Sequence, residues 1–349
     1  MTSRSTPCPA FSRRDFVLGS AAVLASGPLS AQSPVSASGF AGRDDVRAFC
    51  VELAGAHGFD QAWLLNQFEP VQPQPKVIEL IRPPTKPGVR SWQRYRGRFV
   101  EPLRIREGRA FMTEHAATLE RAEQQYGVPR QVVTAIIGVE TIYGRHTGNF
   151  PVIGALATLA FDYPPRADLF RRELGELFLL ARDQNRDVGS YRGSYAGALG
   201  YPQFLPSSWR RYAVDFDRDG RVDLIDSPID AIGSVAAYLK EHGWEPGEPV
   251  VQRVLVDSST LAPLLESGIE PVLDTDRLLA AGIRPLGREL TPKPAAVIDL
   301  ITPDAPTEYW LGFKNFYVIT RYNKSSFYAM AVHQLSEALV NQRSQVDES

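Results

Sequence analysis

The chain has 349 residues, 44% of them hydrophobic and 22% charged, the composition of an ordinary globular protein with room for more than one subdomain. A formal net charge of −2 excludes the broad basic field that nucleic-acid binding uses. Beyond the first 31 residues no run approaches about 18 apolar residues, so no membrane-spanning helix is expected.

Residues 1–31 read as an export signal and not as part of the fold. The stretch "SRRDFVLGSAAVLASGPLSA" has a basic start, a short apolar run from Phe16 to Ala25 and small residues up to Ala31, too short to cross a bilayer. Arg13-Arg14-Asp15-Phe16 ahead of a Gly/Ala-rich run is similar to a twin-arginine signal; a general secretory signal that happens to hold two arginines is the alternative. Its removal takes away three arginines, one aspartate and Cys8, leaving a formal charge of about −4 and Cys50 as the sole cysteine. No cysteine suited to lipid attachment follows the cleavage point. The expected mature protein is exported, soluble and free of an internal disulfide.

Residues 32–43 read as a flexible lead-in. From Asp44, "DDVRAFCVELAGAHGF" has apolar residues at helical spacing and closes at Gly58. The proline-rich "EPVQPQPKVIELIRPPTKPG" reads as a strapping loop with a short apolar run at Val77–Ile81. One long amphipathic helix is predicted from about Arg104 to Tyr126, ended by Gly127.

The next helix poses the functional question. Pro129 suits a first helical position, and Val132, Ile136, Val139 and Tyr143 then recur at spacings of four, three and four. Val133 and Ile137 make a second apolar row, which Glu140 continues before Gly144 stops the helix. With both sides apolar, the helix should be central to a domain. A carboxylate there is disfavoured as an ion by apolar neighbours and by the negative end of the helix dipole, which favours a proton donor near neutral pH. The plainer reading is a glutamate that points to solvent or pairs with Arg145.

Two more helices follow in "FPVIGALATLAFDYPPRADLFRRELGELFLLARDQN", split by Pro164-Pro165, and "PIDAIGSVAAYLKEHGW" is a further one. After Trp244 the pattern changes. "PVVQRVLVD", "AAVIDLI", "EYWLGF" and "NFYVITRY" are β-type runs, and "SSFYAMAVHQLSEALVNQ" returns to helix.

Between the helices lie two loops with chemical content. "DFDRDGRVDLID" matches a calcium loop: Asp215, Asp217 and Asp219 at positions 1, 3 and 5, Gly220 at the sharp turn, the Arg221 carbonyl at 7 and Asp223 at 9. The closing carboxylate is Asp226 or Asp230; a solvated acidic turn is the reading without a metal. "SYAGALGYPQFLPSSW", Ser194 to Trp209, sets small residues beside Gln203 and aromatics. That suits a sugar ring and equally a tight loop packed on a core.

Together "ETIYG", "SYAGALGYPQFLPSSW", the calcium loop with "DAIGSVAAYLKEHGW", and "NFYVITRYNKSSFYAMAVHQL" resemble the membrane-bound lytic transglycosylase B family over about residues 44–340. The resemblance implies an α+β, mainly α fold: a lysozyme-like helical core, an outer helical part and a small inserted β subdomain. The segments would be 44–126 (N-terminal helical part), 127–247 (catalytic core with the calcium loop), 248–312 (β-rich insertion) and 313–349 (helical return). It implies Glu140 as catalytic acid, Ser194 and Gln203 near the leaving oxygen and N-acetyl groups, and Tyr95, Tyr238, Tyr317, Tyr322 and Asn323 lining the cleft. Lacking a lipid-attachment cysteine, the chain departs from the family's membrane anchoring, and the expected place is the periplasm.

No cofactor for the chemistry is expected, only a structural calcium ion held by Asp215, Asp217, Asp219, Arg221 and Asp230. The partner is the peptidoglycan glycan strand, with neither nucleic acid nor a membrane anchor. Most glycosidases pair two carboxylates. The candidates for a second, Asp162, Asp183 and Asp187, read more simply as loop or helix-end residues. A one-carboxylate route, in which the sugar's own 6-hydroxyl attacks and 1,6-anhydro-N-acetylmuramic acid forms, therefore fits better. The alternatives are a muramidase-type hydrolase, with water as the attacking group, and a non-catalytic, calcium-stabilised murein-binding protein.

Overall fold

The computed structural model describes residues 39–83, 90–256, 261–287 and 289–341. The export signal, Cys8 and residues 32–38 of the expected lead-in lie outside the described residues; its last part is not loose, since Phe40 is fully buried against Phe161. In chain order the helices and strands are α1 (Asp44–His57), α2 (Gln61–Phe68), α3 (Pro75–Ile81), α4 (Trp92–Arg96), α5 (Pro102–Glu114), α6 (Ala116–Tyr126) and α7 (Arg130–Thr141). Then come β1 (Phe150–Pro151), α8 (Val152–Asp162), α9 (Ala167–Asp183), β2 (Arg192–Gly193), α10 (Pro206–Tyr212) and α11 (Pro228–Glu241). The last part holds β3 (Val251–Leu255), α12 (Leu261–Glu266), α13 (Thr275–Ala280), β4 (Arg284–Pro285), β5 (Ala296–Leu300), β6 (Glu308–Gly312), α14 (Lys314–Tyr322) and α15 (Ser326–Val340). The architecture is α+β and mainly α.

Packing gathers these elements into two units that cut across the sequence segments: residues 39–83 with 147–211, and residues 90–146 with 212–341. In the first unit, α8 is buried at every position from Val152 to Ala160, because its sequence is apolar all round. It packs on α9 and α3. Phe49, Phe68 and Phe178 fill the space between α1, α2 and α9, with the Phe68 and Phe178 rings 5.7 Å apart.

In the second unit α7 is the central rod, touching α5, α6, α11 and α15. Positions Val132 to Val139 are all buried, as two apolar rows on opposite sides require. Each large aliphatic side chain buried there contributes roughly 1.5–3 kcal/mol. β3 to β6 form a four-stranded antiparallel sheet in the order β4-β3-β6-β5, registered by Val254 opposite Tyr309 and Val297 opposite Leu311. It has its own apolar core of Val254, Leu264, Leu273, Leu278, Ile283 and Leu311.

Four local expectations change. The long helix over 104–126 is two helices, broken at His115 (φ −106°, ψ 26°). A single straight helix offers one stripe, whereas beside α7, which both touch, α5 packs on α15 and α6 packs on α11. The Val77–Ile81 run is helical, with Pro75 in its first turn and Val77 and Ile81, four apart, both buried. "NFYVITRY" lies in α14: its aromatic and β-branched composition suggests a strand, but burial of Asn315, Phe316, Ile319 and Tyr322 follows the helical period. Pro129 stands at the N-cap of α7, one place before the first helical residue, and the helix ends at Thr141, ahead of Gly144.

Candidate active site

Glu140 sits in the last turn of α7, half-buried, between buried Val139 and buried Thr141. The helix stops beside it because Ile142 takes a left-handed backbone (φ 51°), donating its N–H back to the Gly138 carbonyl at 3.1 Å. Thr141 Oγ1 bonds the Ile137 carbonyl at 3.2 Å and receives the Gly144 N–H at 2.9 Å, which satisfies part of the open helix end. The carboxylate is held by Tyr328, whose hydroxyl donates to Oε1 at 2.8 Å. Tyr328 is fully buried near the start of α15, where Ser325 caps the helix by accepting the Tyr328 N–H. Arg145, the partner the plainer reading gave to Glu140, pairs with Glu107 instead.

The tyrosines of the same unit fall into separate groups. Tyr238 and Tyr322 are in edge contact with ring centroids 4.9 Å apart, and the Tyr238 hydroxyl donates to the Arg321 carbonyl at 2.7 Å. His242 stacks on Tyr238 at 4.0 Å. Asn323, next to Tyr322, is buried, and its Oδ1 has no hydrogen-bond partner among the described residues. Tyr317 is half-exposed under the Arg321 guanidinium, 4.5 Å from its ring. Tyr95, on α4, packs against Phe99 and Phe327 at 5.0 and 5.6 Å.

In the other unit, the Ser194 hydroxyl accepts the N–H groups of Ala196 and Ala198 at 3.2 and 3.3 Å, which ties the glycine-rich loop into a tight turn. Gln203 has a left-handed backbone (φ 55°), and its Nε2 donates to the carbonyls of Thr147 and Gly200. The loop runs into α10, whose N-terminal Ser207 gives both its N–H and its hydroxyl to Glu173, at 3.0 and 2.6 Å. Glu173 is buried in the middle of α9, and that burial raises its pKa against the lowering effect of the Ser207 bonds. Asp162 is paired with Arg43, Asp183 with Arg210, and Asp187 receives the Gly189 N–H, so all three have structural partners.

The acidic loop is organised around Asp230. It lies in the first turn of α11, 1% exposed, with Oδ1 receiving the N–H groups of Phe216 and Asp217 and Oδ2 that of Asp223. Desolvation raises its pKa, partly offset by those N–H donors. Asp215, Asp217 and Asp230 each offer a carboxylate oxygen, all within 4.8 Å of one another, and hard oxygen donors of this kind suit calcium. Gly220 (φ 93°) makes the turn between them. Asp219 is not in that group: its Oδ1 accepts the Arg221 N–H. Asp226 is exposed, its N–H donated to Asp223. Of the two candidates for closing the loop, the convergent one is Asp230.

Sequence reading missed Tyr328 and Glu173. Both look like core positions: Tyr328 is one aromatic among the apolar residues of α15, and Glu173 is one of several glutamates on an amphipathic helix.

The chain is similar to known proteins in sequence and fold. The sequence profile of the family described as Transglycosylase SLT domain matches residues 41–337. Membrane-bound lytic murein transglycosylase B of Escherichia coli (strain K12) is 41% identical over 320 residues, or 88% of this chain and 85% of that protein. The crystal structure of soluble lytic transglycosylase SltB1 from Pseudomonas aeruginosa matches with a TM-score of 0.79 at 45% identity, covering 84% of this chain and 98% of the other. The Escherichia coli lytic transglycosylase Slt35 in complex with calcium matches at 0.78 and 40% identity, covering 86% and 94%.

Proposed function

Because the chain belongs to the transglycosylase SLT domain family and is a peptidoglycan lytic transglycosylase, we propose that Glu140 performs both proton transfers of its reaction. The protonated carboxyl donates to the oxygen leaving the anomeric carbon of N-acetylmuramic acid as that C–O bond breaks. The substrate's N-acetyl group stabilises the developing oxocarbenium ion. Ionised Glu140 then takes the proton of the 6-hydroxyl, whose oxygen closes onto the anomeric carbon. The products are a free N-acetylglucosamine end and 1,6-anhydro-N-acetylmuramic acid, with no water consumed.

The observation that carries this reading is the setting of Glu140: a half-buried acid ending a fully buried helical run and held by one phenolic hydroxyl. Tyr328 fixes the carboxylate without neutralising it, so the acid can change state twice in one turnover. General acid–base help of this kind is worth on the order of 10²–10⁴ in rate. Glu140→Gln should keep the fold and glycan binding and lose at least about 10² in turnover. Turnover near wild type would remove the assignment, and mass spectrometry of the sugar ends would show whether water replaces the 6-hydroxyl.

For the glycan we assign Ser194 and Gln203 to polar contacts, and Tyr95, Tyr238, Tyr317, Tyr322 and Asn323 to stacking and hydrogen bonding along the sugars. Asp215, Asp217 and Asp230 would hold a structural calcium ion, with Asp219 and the Arg221 carbonyl completing it. The ion would supply cross-linking of the loop to α11 and take no part in the chemistry. We place the enzyme in the periplasm, exported by a twin-arginine signal. No helix among the described residues is long and apolar enough to cross a membrane.

A further inference from the structure

Immediately after Glu140 the backbone is held in a costly shape. Ile142, Tyr143 and Gly144 are consecutive left-handed residues, with φ 51°, 57° and 89°. Glycine adopts this freely, but a β-branched isoleucine and a tyrosine do so only under strain. The reversal sends the Tyr143 side chain back alongside the helix it has just left. There the ring is buried, 5.5 Å from Phe111, and its hydroxyl donates to the Arg104 carbonyl of α5 at 2.9 Å.

Room for the ring comes from two missing side chains. A Cβ on Gly138 would lie 2.5 Å from the Tyr143 hydroxyl oxygen and 2.6 Å from Cζ. A Cβ on Gly108 of α5 would overlap the same hydroxyl. Arg104 closes the circuit: its Nε donates at 2.9 Å to the Gly138 carbonyl, the group that also receives the Ile142 N–H. α5, the last turn of α7 and the reversed turn are thus joined around one phenol. Glu140 lies between the two tied points, Gly138 and Ile142.

We propose that Tyr143 is a positioning residue for Glu140: seated against Gly108 and Gly138 and bonded to Arg104, it sets the last turn of α7 so that the Glu140 carboxylate meets the Tyr328 hydroxyl. This rests on the reading of Glu140 as the acid–base residue. Filling a core could be done by Tyr143 in ordinary backbone; the two left-handed residues make sense as the means of stopping α7 at one place. The consequence is kinetic. An acid displaced by a fraction of an ångström still admits substrate but transfers its proton less often, so kcat should fall while KM holds.

The test measures kcat and KM on soluble glycan strands, with thermal midpoints, for the whole chain and four variants. Gly138→Ala should lower kcat about tenfold or more and Tyr143→Phe about threefold, with KM within about twofold in both. Val254→Ala, a truncation in the sheet core, should lower the midpoint and leave kcat unchanged. Normal kcat in both Gly138→Ala and Tyr143→Phe, with Glu140→Gln inactive, overturns the positioning role. An active Glu140→Gln overturns instead the acid–base reading beneath it. Should Gly138→Ala not fold, Tyr143→Phe decides, because it keeps the ring and removes only the hydroxyl.

Discussion

Glu140 and Glu173 are two glutamates on two well-buried helices, and the molecule treats them in opposite ways. Glu140 ends its helix, is half-buried and, among the described residues, has a single hydroxyl on one oxygen. Glu173 lies mid-helix, is 5% exposed and has both oxygens occupied by one serine. The first arrangement leaves a carboxylate able to exchange a proton with something outside; the second locks it into tying α10 to α9. A buried acid is therefore a site or a fastener according to what its oxygens already hold.

Asp230 extends the contrast, and it predicts the largest effect. Three backbone N–H groups fix it, yet desolvation still raises its pKa, so two more carboxylates converging on it are costly without a cation. Calcium added after chelator treatment should raise the thermal midpoint, by about 4 kcal/mol of stability at a thousandfold excess over its dissociation constant. Asp230→Asn should lose most of that response. A midpoint indifferent to calcium up to millimolar levels would leave the cluster as an acidic turn.

A smaller effect separates the two glutamates directly. Glu173→Ala strips the partner from a half-buried N–H and hydroxyl, which costs on the order of 1–3 kcal/mol. Glu140→Ala should cost less, since only the Tyr328 hydroxyl loses its acceptor, but it should abolish turnover. Urea unfolding of both variants gives the comparison. Equal destabilisation would mean that Glu140 is as much a fastener as Glu173.

How far the sequence carries this contrast depends on what each residue must signal locally. The place of Glu140 at the end of a buried helix was legible because a charge interrupting two apolar rows beside a helix stop is a local pattern. The convergence of Asp215 and Asp217 with Asp230 was legible because their spacing matches the calcium-loop pattern. Tyr328 was not, since its meaning comes from a partner 188 positions away. The break at His115 has no glycine or proline to announce it and follows from α5 turning towards α15 and α6 towards α11 while both keep contact with α7. α14 misled through composition, the β-branched and aromatic residues of "NFYVITRY" outweighing a helical period that only burial makes visible. The division into two units is likewise a property of packing, invisible to segment-by-segment reading.

The smallest prediction sets Glu173 against His333 of α15, which burial pushes down to about 4. An unfolded histidine titrates near 6.5, so between about 6.5 and 4 the unfolded chain binds the proton that the folded one refuses. His333 therefore contributes stability that is full above about pH 6.5 and is lost as the pH falls towards 4. Glu173 has the opposite sign. Its folded pKa lies above the ordinary carboxylate range, so stability declines as the pH rises through that range towards the raised value. Thermal midpoints between pH 4 and 7 should show His333→Gln flattening the acid-side loss by about 1 kcal/mol, partial exposure having reduced it. Glu173→Gln, less stable overall, should lose the decline at its own end of the range. If neither substitution changes the slope, both groups titrate alike in the folded and unfolded chains, and burial sets neither.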